Sequence, residues 1–137
     1  MPNLTLSLLE DDYAVCRLPP GAVAKVDTSP AFALVVRAPE ETTVVCRPHD
    51  APEGAEIDPG WRCLRIEQTF DFSVPGILAS VLSPLAAAGI GIFATSTFST
   101  DYVLVKANNL APAIAALAKA GHHVIGQSKA RLEPRDG

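Results

Sequence analysis

Ser73-Val74-Pro75-Gly76-Ile77-Leu78-Ala79-Ser80-Val81-Leu82-Ser83-Pro84-Leu85-Ala86-Ala87-Ala88-Gly89 is the stretch that decides the fold. Ser73 offers a capping hydroxyl and Pro75 suits the first turn of a helix, where a missing N–H costs nothing. Ile77, Leu78, Val81, Leu82 and Leu85 then recur at helical spacing. The pattern predicts a helix over 75–88. Pro84 removes one backbone bond inside it and bends it, and Gly89 is placed to end it in a left-handed conformation.

On either side of this helix the period changes. Residues 61–69 alternate apolar and polar through Cys63, Leu64, Ile66 and Gln68, which reads as a strand. Residues 90–97 form a second strand, Phe98-Ser99-Thr100 turns the chain, and Tyr102-Val103-Leu104-Val105 forms a third. The turn is short, so the two pair as a hairpin. Asn108-Asn109 supplies an N-cap, Pro112 sits in a first turn, and Ile114, Leu117 and Ala118 mark a second helix stopped by Gly121. Residues 122–127 close with a short strand. The order β-α-β-β-α-β defines an α+β, ferredoxin-like unit: a four-stranded antiparallel sheet with both helices on one face.

The first half echoes this order with losses. Strands are expected at 4–9, 13–18, 32–36 and 43–46, the last two joined by a polar turn at Glu40-Glu41-Thr42. Pro19-Pro20-Gly21 leaves room for only a single helical turn at 22–26. Pro48, Pro52, Gly54, Pro59 and Gly60 break any periodicity over 48–60, which reads as a linker. The expected organisation is a degenerate copy with a reduced helical layer at 1–58, a complete unit at 59–129 and a flexible tail at 130–137. Each half alone is marginal as a core, so the two are expected to stabilise each other.

Charge follows the same division. The 137 residues are 48% apolar and 19% charged, with a net charge of −4, a globular composition without the basic footprint of a nucleic-acid or anionic-membrane binder. Residues 1–60 hold ten acids, four bases and eight of the twelve prolines; residues 61–137 hold five acids and seven bases. Residues 72–100 carry no charge, yet Pro75, Pro84, Gly89 and Gly91 interrupt them, and their longest hydroxyl-free run, 84–94, falls well short of the roughly 20 apolar residues a bilayer needs. That stretch must face protein or a ligand. The amino terminus lacks a basic start and long apolar segment, which reads as cytoplasmic. Cys16, Cys46 and Cys63 lie singly in apolar runs without metal-ligand spacing, and read as small hydrophobes in a reducing compartment.

Catalytic patterns are missing: there is no Ser-His-Asp motif, no His-Glu-x-x-His and no phosphate loop. His122 and His123 are adjacent on a strand and so point to opposite faces, with no third ligand nearby, which argues against a metal. His49-Asp50 reads as a solvated loop pair. Phe93 and Tyr102 stand where an RNA-binding sheet would show aromatics, but the charge opposes that partner and both read as core. A small-molecule sensor explains the uncharged stretch better. A helix N-terminus near 72–77 presents N–H groups that hold a carboxylate without a basic side chain. Ser73 can add a hydroxyl contact or serve as a plain N-cap. Thr95-Ser96-Thr97 can contact a ligand or lie as ordinary surface. Asp101 is the only acid between Asp71 and Glu133; it can accept from a ligand cation or simply form the turn.

The run 76–86, then Gly89-Ile90-Gly91-Ile92-Phe93, then Ser96-Thr97-Phe98-Ser99-Thr100-Asp101-Tyr102-Val103-Leu104-Val105 resembles the ACT-domain family, and within it the tandem-ACT branch of small bacterial proteins and CASTOR-type cytosolic arginine sensors. The resemblance covers 60–127 and, more loosely, the first half. It implies regulatory amino-acid binding without catalysis or cofactor, the ligand lying between adjacent ACT units. The residues it implies are Phe72, Ser73, Val74, Gly76 and Ile77 in the loop, Ile92, Phe93 and Ala94 on the strand, and Asp101 toward a cationic side chain. The animal sensors hold four units and this chain two, so a homodimer is expected, with an exposed second strand pairing or helices packing across a twofold axis. Ligand binding is expected to be read by a further, unidentified protein. The alternative is an ACT-shaped dimerisation or interaction module that has lost its ligand.

Overall fold

A computed structural model describes residues 3–25, 27, 29–69 and 73–126. The expected tail at 130–137 and Phe72 lie outside the described residues. The described residues form seven strands and two α-helices: β1 (Thr5–Leu18), β2 (Leu34–Arg37), β3 (Thr42–Cys46), β4 (Glu56–Ile66), α1 (Ile77–Ala87), β5 (Ile92–Ser96), β6 (Asp101–Lys106), α2 (Leu110–Lys119) and β7 (His123–Gly126). Short 3-10 turns occupy Pro48–Asp50 and Ala107–Asn109.

The chain divides into two compact units, Met1–Glu10 with Arg62–Gly137, and Asp11–Trp61. In the first, the strands lie in the order β7-β1-β4-β6-β5. Leu4, Leu6, Leu64, Ile66, Val103, Val105 and Val124 turn one face of this sheet toward Ile77, Val81 and Leu85 of α1 and Ala113, Ile114 and Leu117 of α2. The alternation of strands and the 3.6-residue period of the helices place all of these on one side. The ferredoxin-like arrangement with both helices on one face is therefore present. It differs from the expected four-stranded antiparallel sheet in one respect: the amino-terminal strand is inserted between β4 and β7. β1 joins β7 in parallel, pairing Thr5 with His123, Leu6 with Val124, Ser7 with Ile125 and Leu8 with Gly126. Alternation identifies 4–9 as a strand but cannot name its partners, of which β7 lies over 110 residues away. The compact units divide at 10/11 and 61/62, within β1 and β4, whereas the expected boundary stands at 58/59.

The second unit pairs β2 with β3 and β3 with β1, both antiparallel, with Ala14 opposite Cys46 and Cys16 opposite Val44. Ala14, Cys16, Leu18, Val44 and Cys46 form its small core, roofed by Ala22, Ala24, Ala51 and Ala55. The two strands expected at 4–9 and 13–18 are one, since Glu10, Asp11 and Asp12 continue in extended conformation. No helical turn forms at 22–25; the Ala22 N–H instead closes a turn on the Pro19 carbonyl at 3.2 Å, and Val26 lies outside the described residues. The linker is also shorter than expected. β4 starts at Glu56, and its exposed first five residues accommodate Pro59 as solvent-facing edge segments do. Arg47 ties Asp50 (2.8 Å) to Asp27 (2.9 Å), leaving the His49 side chain largely exposed.

Candidate functional site

The sequence places the candidate site where α1 begins. Gly76 is the N-cap, in the left-handed region at φ 80°, and no side chain caps the helix. Ser73 and Pro75 therefore lie outside α1, contrary to the expected Ser73 cap and Pro75 first turn. The reversal at Gly76 delays the start to Ile77, and a Cβ there would be strained by the backbone angle alone. The first helical bond runs from the Ser80 N–H to the Gly76 carbonyl at 3.0 Å. The N–H groups of Ile77, Leu78 and Ala79 precede that bond and have no acceptor within the helix. Ser73 and Val74 are exposed, whereas the Ile77 side chain is buried in the core and contributes only its backbone.

β5 is an edge strand, paired only with β6 among the described residues. Ile92 is exposed, Phe93 and Ala94 half-buried. Ala94 packs on the same core that holds Ile77, so strand alternation sends Phe93 to the opposite face. In the β5–β6 register Ser96 stands opposite Asp101, and its hydroxyl donates to the Asp101 carboxylate. Thr97 closes the hairpin: its N–H and hydroxyl both reach the Thr100 carbonyl, at 2.8 and 3.2 Å. Thr100 is buried, its hydroxyl 2.7 Å from the Ile66 carbonyl and 3.1 Å from that of Gln68. Ser96, Thr97 and Thr100 thus build the hairpin and fasten it to the β4 end, and Asp101 takes part in that structure.

Two polar groups take on connections that the sequence reading does not foresee. On the sheet face opposite the helices, the Glu67 carboxylate accepts from Ser7 at 2.9 Å and Arg65 at 2.8 Å, while the Arg65 Nε reaches the Tyr102 hydroxyl at 3.3 Å. The Tyr102 contact, followed by Glu67, holds the guanidinium above its ordinary value. The alternation of β4 could have shown that Arg65 and Glu67 share a face, but not that Ser7 and Tyr102 flank them. The second group is His122, buried while its neighbour His123 is exposed; the pair does point to opposite faces.

A shallow groove of about 430 Å³ lies between the carboxyl ends of α1 and α2, lined by Pro84, Ala87, Ala88, Ala116, Lys119 and Ala120. In the second unit a groove of about 490 Å³ runs along Arg17, Leu18, Glu40, Glu41 and Glu56. Neither contains a residue expected to hold the ligand.

An uncapped helix start and, among the described residues, a sheet edge paired on one side only stand together on a ferredoxin-like frame. The ACT-domain family model matches residues 56–119, from the first residue of β4 to the last of α2. The crystal structure of protein Atu0741 from Agobacterium tumefaciens is 33% identical, with a TM-score of 0.85, over 97% of this chain and 100% of that one. The chain belongs to the ACT-domain family. The ligand-free regulatory subunit of aspartate kinase from Thermus thermophilus shares the fold at 14% identity, with a TM-score of 0.61 over 84% of this chain and 95% of that one. Aspartate kinase from Clostridium acetobutylicum does so at 11% identity and a TM-score of 0.66, over 88% of this chain and 35% of that one. ACT domains are regulatory modules, and many bind amino acids. Among the described residues no helix is long and apolar enough to cross a membrane.

Proposed function

We propose that this chain is a regulatory amino-acid-binding protein of the tandem-ACT type, its second unit being the reduced copy. The observation that carries the reading is the start of α1, where three successive N–H groups follow an uncapped, left-handed Gly76. Such a terminus holds an α-carboxylate without a cationic side chain. The loop 73–77 supplies this contact, β5 supplies Ile92, Phe93 and Ala94, and Asp101 faces the ammonium or side chain of the ligand. The edge position of β5 supports assembly of two copies, which completes the site between adjacent units. Binding then shifts the pairing of units and is read by a regulated protein. Three buried, free thiols fit a reducing compartment such as the cytoplasm.

One observation favours the alternative, an assembly module without ligand: the Asp101 carboxylate already accepts from Ser96. A thermal-shift screen against the twenty common amino acids separates the two. A ligand present at 100 times its Kd adds about 2.7 kcal/mol, and Asp101→Asn should abolish the response while leaving the unliganded melting temperature nearly unchanged. A flat response to all twenty at millimolar concentration would sink the amino-acid reading.

A further inference from the structure

Pro84 sits four residues after Ser80 in α1 and has no N–H to give the Ser80 carbonyl. The helix continues past it, with the Ala88 N–H reaching the Pro84 carbonyl at 3.1 Å, so one buried acceptor in the middle of α1 needs a donor from elsewhere. His122 provides it. Its Nε2 lies 2.9 Å from the Ser80 carbonyl oxygen, and its Nδ1 lies 3.1 Å from the Leu4 backbone nitrogen. A carbonyl only accepts and a backbone N–H only donates, so the imidazole is neutral, protonated at Nε2 and bare at Nδ1. The ring is aimed by its own backbone: Gly121 turns left-handed at φ 95° and the His122 N–H caps α2 on the Leu117 carbonyl at 3.0 Å.

We propose that Pro84 and His122 form a matched pair, in which the hydrogen bond the proline denies to α1 is supplied by an imidazole that also holds the amino-terminal strand, so that α1 and the start of β1 open as one body. An ordinary residue at 84 would let α1 satisfy itself and leave the strand tied to it only by packing. With the proline, the Ser80 carbonyl is satisfied only while His122 is in place, and His122 in that place accepts from Leu4. The device lies within one unit, and β1 runs on unbroken to Leu18. If the first turn of α1 holds a carboxylate, as proposed above, this latch carries that event into β1. The tests use no ligand, so they decide the latch whether or not that reading stands.

Nitrogen-15 NMR of histidine-labelled protein should show His122 protonated at Nε2 and bare at Nδ1. Calorimetry should show His122→Ala lowering the melting temperature by about 8 °C, the scale of two buried groups left unpaired. His122→Gln should recover more than half of that loss, since an amide places an acceptor and a donor one carbon apart as the ring does. In a Pro84→Ala background the restored N–H serves Ser80, and His122→Ala should cost only about half as much, a non-additivity that marks direct coupling. Native-state hydrogen exchange should give residues 5–8 and the amides of 81–83 and 85 a common opening free energy in the wild type and separate ones in Pro84→Ala/His122→Ala. Protonation at Nδ1, equal losses in the two backgrounds, or separate openings in the wild type would each overturn the pairing; if His122→Ala alone does not fold, the NMR, the Gln variant and the wild-type exchange still decide it.

Discussion

The side-chain oxygen of Asn3 lies 2.8 Å from the point a Cβ on Gly121 would occupy. The amino terminus of the described chain is thus packed against the turn that ends α2, next to the bond from the His123 N–H to the Leu4 carbonyl at 2.8 Å. Gly121→Ala should destabilise by about 1–2 kcal/mol from the left-handed backbone alone, with a further loss from displacing Asn3. Denaturant titration of Gly121→Ala and of Asn3→Gly/Gly121→Ala separates the terms. The double variant should regain only the steric part, because the backbone angle remains.

Besides the pairing of β6 with β4, the Thr100 hydroxyl ties the turn of the β5–β6 hairpin to the end of β4. Thr100→Val keeps the shape of the side chain but leaves the buried Ile66 carbonyl and the half-buried Gln68 carbonyl without this donor. A cost of about 1–2 kcal/mol follows. Chemical denaturation should report it as a lower midpoint with an unchanged slope, and hydrogen exchange should place the faster opening in β6 and not in β3.

Alkaline pH should destabilise the fold through its thiols. Burial pushes the Cys63 thiol from its ordinary 9.0 to about 12, and burial together with neighbouring Cys16 does the same to Cys46. The unfolded thiols ionise near 9 while the folded ones keep their protons to about 12, so stability is complete below pH 9 and falls as pH rises toward 12. The melting temperature should therefore decline over that window, and Cys63→Ala should flatten the decline. At neutral pH an aromatic disulfide reagent should label no thiol in the native protein within minutes, and all three after unfolding.

The polar cluster on the open sheet face should matter modestly. Glu67→Ala removes the acceptor shared by Ser7 and Arg65, and should cost about 1–2 kcal/mol in urea titration because charged partners are involved. Tyr102→Phe loses a longer contact at 3.3 Å and should cost about 0.5 kcal/mol. A larger loss for Tyr102→Phe than for Glu67→Ala would contradict this ranking.

Much of the second half was legible because each signal is local. The 3.6-residue spacing of Ile77, Val81 and Leu85, the alternation around Leu64 and Ile66, and the short turn before Asp101 each report one element and the face it buries. What escaped was pairing across distance. Nothing near Leu4 announces that it will lie beside His123, and nothing near Pro84 announces that its missing donor will come from His122. The start of α1 was displaced for a related reason: Ser73 and Pro75 satisfy the local rules for a cap and a first turn, but Gly76 can take the left-handed angle that Ser73 is poorly suited to, and the chain reverses there. At the candidate site Ser73 and Val74 are exposed and Phe93 and Ala94 half-buried, whereas the hydroxyls of Ser96 and Thr97 bond within the hairpin, which the run of hydroxyls alone does not announce.

The uncharged edge of β5 allows a last prediction. Natural sheets guard their edges with lysine, proline or bulges; β5 reads Ile92-Phe93-Ala94-Thr95-Ser96 and has none of these charges or prolines. Its backbone groups on the side away from β6 are a template for a second strand, and the twofold arrangement in which each copy offers the same edge needs no other partner. Light scattering should therefore give the wild type at twice its 14.4 kDa chain mass, and Ile92→Lys, which puts a charge at the exposed position, should return it to the single-chain mass with little change in circular dichroism. If the amino-acid site lies between copies, the same variant should lose its ligand response although residues 73–77 and Asp101 are untouched. A wild type that stays monomeric at millimolar concentration would remove the edge-pairing model.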